Sequence, residues 1–162
     1  CEARLYASRG TASVLNYPAP RVCTFPAGDE FTVGALHVKS FHTSHDARES
    51  VGYRIESTDG SLAVLTDTGV ITGEAHDLAL GADMLLLEAN HDVEMLKTGP
   101  YPYYLKQRIL GECGHLSNET AAEFAVECVR AGSPARGIHR GPRPAGERAE
   151  RPPFRRAARH DQ

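Results

Sequence analysis

The chain has 162 residues, 41% hydrophobic and 24% charged, the make-up of an ordinary globular protein. That length suggests one domain able to bury about two thirds of its unfolded surface. No apolar run approaches the ~20 residues needed to cross a bilayer, and Cys1-Glu2-Ala3-Arg4 opens no basic-then-apolar leader. No membrane partner is therefore expected, and the expected compartment is the cytoplasm. Because the chain starts with Cys rather than Met, a truncated start is also expected.

The net charge of −3 is unevenly spread: residues 132–162 carry eight Arg against Glu147, Glu150 and Asp161, which leaves −8 for residues 1–131. This asymmetry divides the chain into two unlike parts.

In chain order, Phe31 to Phe41 alternates with period two in its second half, placing Leu36, Val38 and Ser40 on one face. Val51–Ser57 alternates again. Thr58-Asp-Gly-Ser61 supplies turn chemistry, and Leu62–Thr66 returns as the second strand of a hairpin. Glu74–Leu80 reads as a short helix stopped by Gly81. Asp83–Leu87 is continuously apolar, the pattern of a strand covered on both faces.

Tyr103–Leu110 reads as a helix after Pro100 and Pro102, broken by Gly111 and Gly114. Ser117 is a predicted N-cap for a longer helix, with Glu119 in its first turn. There Ala121, Phe124, Ala125, Cys128 and Val129 make one predicted buried stripe. Strands first, then strand and helix in alternation, indicate a mixed α/β layered structure.

The four cysteines, Cys1, Cys23, Cys113 and Cys128, form no CxxC and match no zinc spacing, so they are expected to be reduced. From Gly132 the text GSPARGIHRGPRPAGERAERPPFRRAARHDQ holds five prolines, four glycines and only Ile138 and Phe154 as large apolar residues. Such a segment cannot bury enough surface to offset its ordering entropy, and a disordered basic tail over 132–162 is expected. Three readings of it stay open: an Arg-rich arm for phosphate, a solvated tail without a task, or GC-rich DNA translated out of frame.

Six polar residues stand just beyond predicted element ends: His42, His45, Asp67, Glu88, His91 and His115. In an α/β sheet such ends gather along one edge, where ligands bind. His45 precedes one hairpin strand and Asp67 follows its partner, so the hairpin brings them toward one point. An imidazole with a carboxylate suits Zn²⁺ or Mn²⁺, and a bridging carboxylate suits phosphate-ester hydrolysis. A structural His–Asp hydrogen bond is the alternative. Glu88 and His91 follow an apolar strand, where charge is costly unless paired, so they are expected to face a polar cleft. His115 beside a carboxylate is a natural general acid, and a capping or core histidine is the plainer reading.

The stretches FHTSHDARESVGYRIE, LAVLTDTG, ADMLLLEANHDVEML and GPYPYYLKQRILGECGHLSNETAAEF resemble, in order and spacing, the YycJ/VicX-like members of the metallo-β-lactamase superfamily, kin of ribonuclease Z. The resemblance covers residues 4–131. It implies an αββα sandwich, present here as its C-terminal half over residues 1–131, and a dinuclear metal site hydrolysing phosphodiester bonds in nucleic acid. It also implies that His45 is a metal ligand, that Asp67 is the bridging aspartate, and that Glu88 and His115 are the proton-donating pair. His91 joins the catalytic candidates without an assigned role, and His42 is expected to be a surface residue.

The departures are equally specific. The His-x-His-x-Asp-His motif is absent and would lie upstream of Cys1, and the expected final histidine strand near 138–142 is replaced by GIHRGP, so His139 is not counted. Ser50 stands where the family commonly has Pro. With two ligands of its own, the chain alone is expected to bind metal weakly and to have little activity, and half a sandwich is expected to leave a sheet face uncovered. Two other functions remain: a non-catalytic nucleic-acid-binding module using the basic tail, and a hydrolase of the same fold acting on another ester, lactam or thioester.

Overall fold

In the computed structural model, residues 3–132 and 137–140 are described. The strands are β1 (Leu5–Ser8), β2 (Val22–Phe25), β3 (Glu30–Val33), β4 (Leu36–His42), β5 (Val51–Ser57), β6 (Gly60–Leu65), β7 (Met84–Ala89) and β8 (Gly137–Arg140). The helices are α1 (Arg9–Ala12), α2 (Gly73–Ala79), α3 (Val93–Thr98), α4 (Tyr103–Leu110) and α5 (Asn118–Arg130). β3 to β8 lie side by side in sequence order as one six-stranded sheet. β3 to β6 form an antiparallel meander, whereas β7 and β8 join parallel. A parallel neighbour requires a crossover, and α2 supplies it between β6 and β7.

The local chemistry explains the elements. Ser57 pairs with Gly60 across the turn Thr58-Asp59, which closes the β5–β6 hairpin. The alternating stretch 31–41 is two strands, because Gly34 sits at φ +61° and turns the chain there. The N-caps Thr72, Asp92 and Ser117 each accept an amide N–H three residues on, starting α2, α3 and α5. α4 begins at Pro102 without a side-chain cap.

The core lies between one sheet face and the helices α2 and α5. Phe41, Ala63, Leu65, Leu85 and Leu87 meet Ala75, Ala79, Ala121, Phe124 and Cys128 there. Each large apolar side chain so buried contributes about 1.5–3 kcal/mol. Phe41 is in register with Gly52, and a methyl group on Gly52 would stand 2.4 Å from the Phe41 ring. The predicted stripe of α5 is buried except Val129, which is 51% exposed. Eight residues at 100° leave it about 80° around the helix from Ala121, past the edge of the contact.

Among the described residues, the other sheet face is incompletely covered. Ile55, Leu62 and Met84 stand side by side on β5, β6 and β7, the first two half-buried and Met84 44% exposed. This corrects the reading of 83–87 as covered on both faces: Leu85 and Leu87 enter the core, while Met84 and Leu86 face the open side. A continuous apolar run cannot distinguish a core face from one awaiting another layer. The β1–β2 ribbon covers only part of this face, through Phe25 packed on Phe31 and Tyr53.

Cys23, Cys113 and Cys128 are free thiols, and Cys1 lies outside the described residues. Within the stretch read as a tail, Gly137–Arg140 forms β8 beside β7, with His139 in register with Glu88. The rest of that stretch, 133–136 and 141–162, lies outside the described residues. No described helix is long and apolar enough to cross a membrane.

Candidate metal centre

Three loops meet at one end of the sheet: β4–β5, β6–α2 and α4–α5. The Ser44 amide donates to Thr68 Oγ1 (3.1 Å), and the Gly69 amide returns a bond to the Ser44 carbonyl (2.8 Å). Ser44 Oγ donates to the Glu112 carbonyl (2.8 Å), and the Asp46 amide to the Cys113 carbonyl (3.1 Å). These partners are up to 68 residues apart in sequence, so the loops hold one another only in the folded chain. Gly69 is obligatory at this junction: a Cβ there would lie 2.2 Å from the Glu112 carbonyl oxygen.

Each loop delivers one side chain. His45 is anchored by Nδ1, 3.0 Å from the Gly114 carbonyl oxygen. A carbonyl can only accept, so Nδ1 carries a proton, and in the neutral ring it is Nε2 that holds the lone pair. Asp67 adopts φ +55°, a left-handed conformation for which Asp is among the better-suited residues, and its carboxylate is exposed. His115 follows Gly114, whose close approach to the Ile109 carbonyl leaves no room for a Cβ. One ligand atom each from His45, Asp67 and His115 fall within 4.8 Å of one another. The two imidazole centroids are 4.9 Å apart.

Glu88 stands behind this trio, 4% exposed. Its Oε1 accepts the amides of Thr68 (2.9 Å) and Leu116 (3.3 Å), and its Oε2 accepts from His115 Nδ1 (3.0 Å). The same His115 nitrogen is 3.7 Å from Asp67 Oδ1. A buried carboxylate is costly unless hydrogen-bonded, and here three donors satisfy it. The expected polar cleft is thus, at Glu88, a closed set of hydrogen bonds.

His91 stands apart. Both its ring nitrogens are buried without a hydrogen-bond partner among the described residues, and burial holds its pKa below the usual histidine value. Its carbonyl accepts the Asn118 amide (2.8 Å), tying the end of β7 to the start of α5. His42 is exposed at the end of β4, as expected of a surface residue.

The sequence reading did not find Arg108, whose guanidinium grips Asp46 through Nε and Nη2, the latter 3.0 Å from Oδ1. That pair holds the Asp46 carboxyl below its ordinary range, chiefly through the Arg108 hydrogen bond. Asp46 Oδ1 is in turn 3.6 Å from His45 Nε2. Nor did the reading find the backbone holding the cluster, although the glycines of TDTG and GECGH were a signal of close approach.

The chain matches the family model described as "Beta-lactamase superfamily domain" over residues 2–136. It is 42% identical over 114 residues to the exodeoxyribonuclease YycJ of Bacillus anthracis, covering 70% of this chain and 43% of that protein. It is 44% identical over 105 residues to the exodeoxyribonuclease WalJ of Streptococcus pneumoniae strain D39, covering 65% and 39%. It therefore spans about two fifths of the length of these curated relatives. Among solved structures, it resembles a diphosphatase of the PhnP family (TM-score 0.57, 20% identity, 87% of this chain and 48% of that one). It also resembles the metallo-β-lactamase fold protein YhfI of Bacillus subtilis (TM-score 0.58, 17% identity, 85% and 53%). At such identities these two bear on the fold alone. This chain, with its open sheet face and its loop-end histidines, belongs to the metallo-β-lactamase superfamily and is YycJ-like.

Proposed function

We propose that the chain carries one side of the divalent-metal centre of a phosphodiesterase acting on DNA. The observation that carries this reading is the convergence of His45, Asp67 and His115 from three loops within 4.8 Å. The donor set fits such an ion: an imidazole whose Nδ1 is engaged by a carbonyl, which leaves Nε2 to ligate, and an exposed carboxylate are ligands for Zn²⁺ or Mn²⁺. His45 and Asp67 hold it, and the remaining ligands of a two-ion centre come from the part of the relatives that this chain does not span. The ion supplies Lewis acidity and an activated water.

The chain's own groups do the rest. Glu88 accepts from Nδ1 of His115 and orients the ring, so Nε2 is the nitrogen that passes a proton to the leaving oxygen. The Gly114 carbonyl keeps His45 in the tautomer that can ligate. His91, buried with both ring nitrogens unpartnered among the described residues, has no assigned step. The relatives named exodeoxyribonucleases supply the substrate class.

Calorimetric titration of the chain with Zn²⁺ or Mn²⁺ tests this. Binding weaker than about 1 µM is expected from two protein ligands, one short of the usual three of a catalytic zinc site, and it is lost in His45→Ala. Binding indifferent to that change removes the centre. Joined to the upstream portion of a curated relative, the chain is expected to hydrolyse labelled DNA with metal, and His115→Ala to slow it ~10²–10⁴-fold. An unchanged rate removes His115 from proton transfer.

A further inference from the structure

The solvent face of α4 runs against the usual amphipathic pattern. Leu105 and Ile109 are half-buried, while Tyr103, Tyr104, Gln107 and Arg108 form one exposed stripe at spacings of three and four residues. Tyr103 and Tyr104 are 76% and 74% exposed, and Tyr101 just before them is 51% exposed. A surface helix ordinarily shows charge there, not a row of aromatic rings. From Met95 to Gly111 the chain carries Lys97, Lys106 and Arg108 and no carboxylate; Lys97 pairs with Glu94 and Arg108 with Asp46, which leaves Lys106, bonded to the Lys97 carbonyl, as the cation without an acidic partner among the described residues.

This face also leads to the candidate centre. Tyr104 and Arg108 are four residues apart on the helix, about 6 Å along the axis. Arg108 holds Asp46, and Asp46 Oδ1 is 3.6 Å from His45 Nε2. Two side chains therefore separate the nearer ring from a metal-ligating imidazole.

We propose that the tyrosine face of α4 is a docking platform for single-stranded DNA, its rings stacking on bases beside the phosphate at the metal centre. Stacking on aromatic side chains with cations alongside is a sequence-tolerant way to hold a single strand, since every base has a π-face. Duplex bases are already stacked and cannot use it. A protein partner suits the stripe less well, because the polar Gln107 and Arg108 continue it and Leu110 at its end is only 37% exposed. The proposal rests on the nuclease reading for the kind of polymer, but not on metal occupancy.

The test is fluorescence anisotropy of a labelled oligo-dT, and of its duplex with oligo-dA, titrated with the 162-residue chain in EDTA. The single strand is expected to bind more tightly than the duplex. Tyr103→Ala/Tyr104→Ala is expected to weaken single-strand binding by about tenfold or more, whereas Tyr103→Phe/Tyr104→Phe stays within about twofold because the rings remain. An alanine variant that binds like wild type, a phenylalanine variant as weak as the alanine one, or a wild-type chain without preference for single strands overturns the platform. The metal titration separates the two readings. Zinc binding sensitive to His45→Ala, together with DNA binding indifferent to the tyrosines, leaves the centre standing and removes the platform. Tyrosine-dependent DNA binding without His45-dependent zinc binding does the reverse.

Discussion

Replacing Glu88 by alanine removes one acceptor group on which three donors depend. The amides of Thr68 and Leu116 lose Oε1, and His115 Nδ1 loses Oε2. Each orphaned buried amide costs about 1–3 kcal/mol, and the charge-assisted bond to the imidazole contributes about 1.5–3 kcal/mol. Water entering the space recovers some of this, so a net loss of roughly 3–6 kcal/mol is expected for Glu88→Ala, a large share of the ~5–15 kcal/mol typical of a folded domain.

Glu88→Gln separates the two duties of this side chain. Its carbonyl oxygen can still accept both amides, but its NH₂ group then faces His115 Nδ1 as a donor and forces the ring proton to Nε2. The stability loss should therefore fall to about 1–2 kcal/mol, while His115 keeps its proton on Nε2 but loses the carboxylate that stabilises the protonated ring. Urea unfolding followed by far-UV circular dichroism measures both variants. A loss below ~1 kcal/mol for the alanine variant, or equal losses for the two, would show that Glu88 is not the acceptor on which these loops depend.

Gly69→Ala puts a methyl group 2.2 Å from the Glu112 carbonyl oxygen and 2.5 Å from that of Gly111, so the β6–α2 and α4–α5 loops must part. A stability loss of about 1–3 kcal/mol, together with weaker metal binding, is expected from thermal unfolding and calorimetry, and unchanged values for both would contradict the packing. His76 Nε2 lies 2.8 Å from Glu127 Oε1 and links α2 to α5; this hydrogen bond first, and Asp77 second, raises the His76 pKa. The linkage is fully present below the ordinary histidine value of ~6.5, where the ring is protonated in both states, and fades as pH rises through the raised folded value. Urea midpoints across that window should fall with pH in the wild type and flatten in Glu127→Gln; parallel profiles would sink the assignment.

The β5–β6 hairpin was legible because period-two alternation and the Thr58-Asp59 turn are local, and the hairpin alone carries the ends of its strands, with His45 and Asp67, to the same side. α5 was legible through Ser117 and the spacing of Ala121, Phe124, Ala125 and Cys128. The β1–β2 ribbon and α3 were not anticipated: the first pairs across an intervening helix, and the second is a single short stretch begun by Asp92.

Residue types and their order alone set which groups were available near the centre: two imidazoles, two carboxylates and flanking glycines. Tertiary structure decided what each group does. The tautomer of His45 depends on the Gly114 carbonyl 69 residues away, the burial of Glu88 on amides 20 residues back and 28 residues on, and the position of Arg108 on a carboxylate 62 residues back. Hydrogen-bond geometry at such separations comes from the packing of whole loops, and no local pattern of letters encodes it.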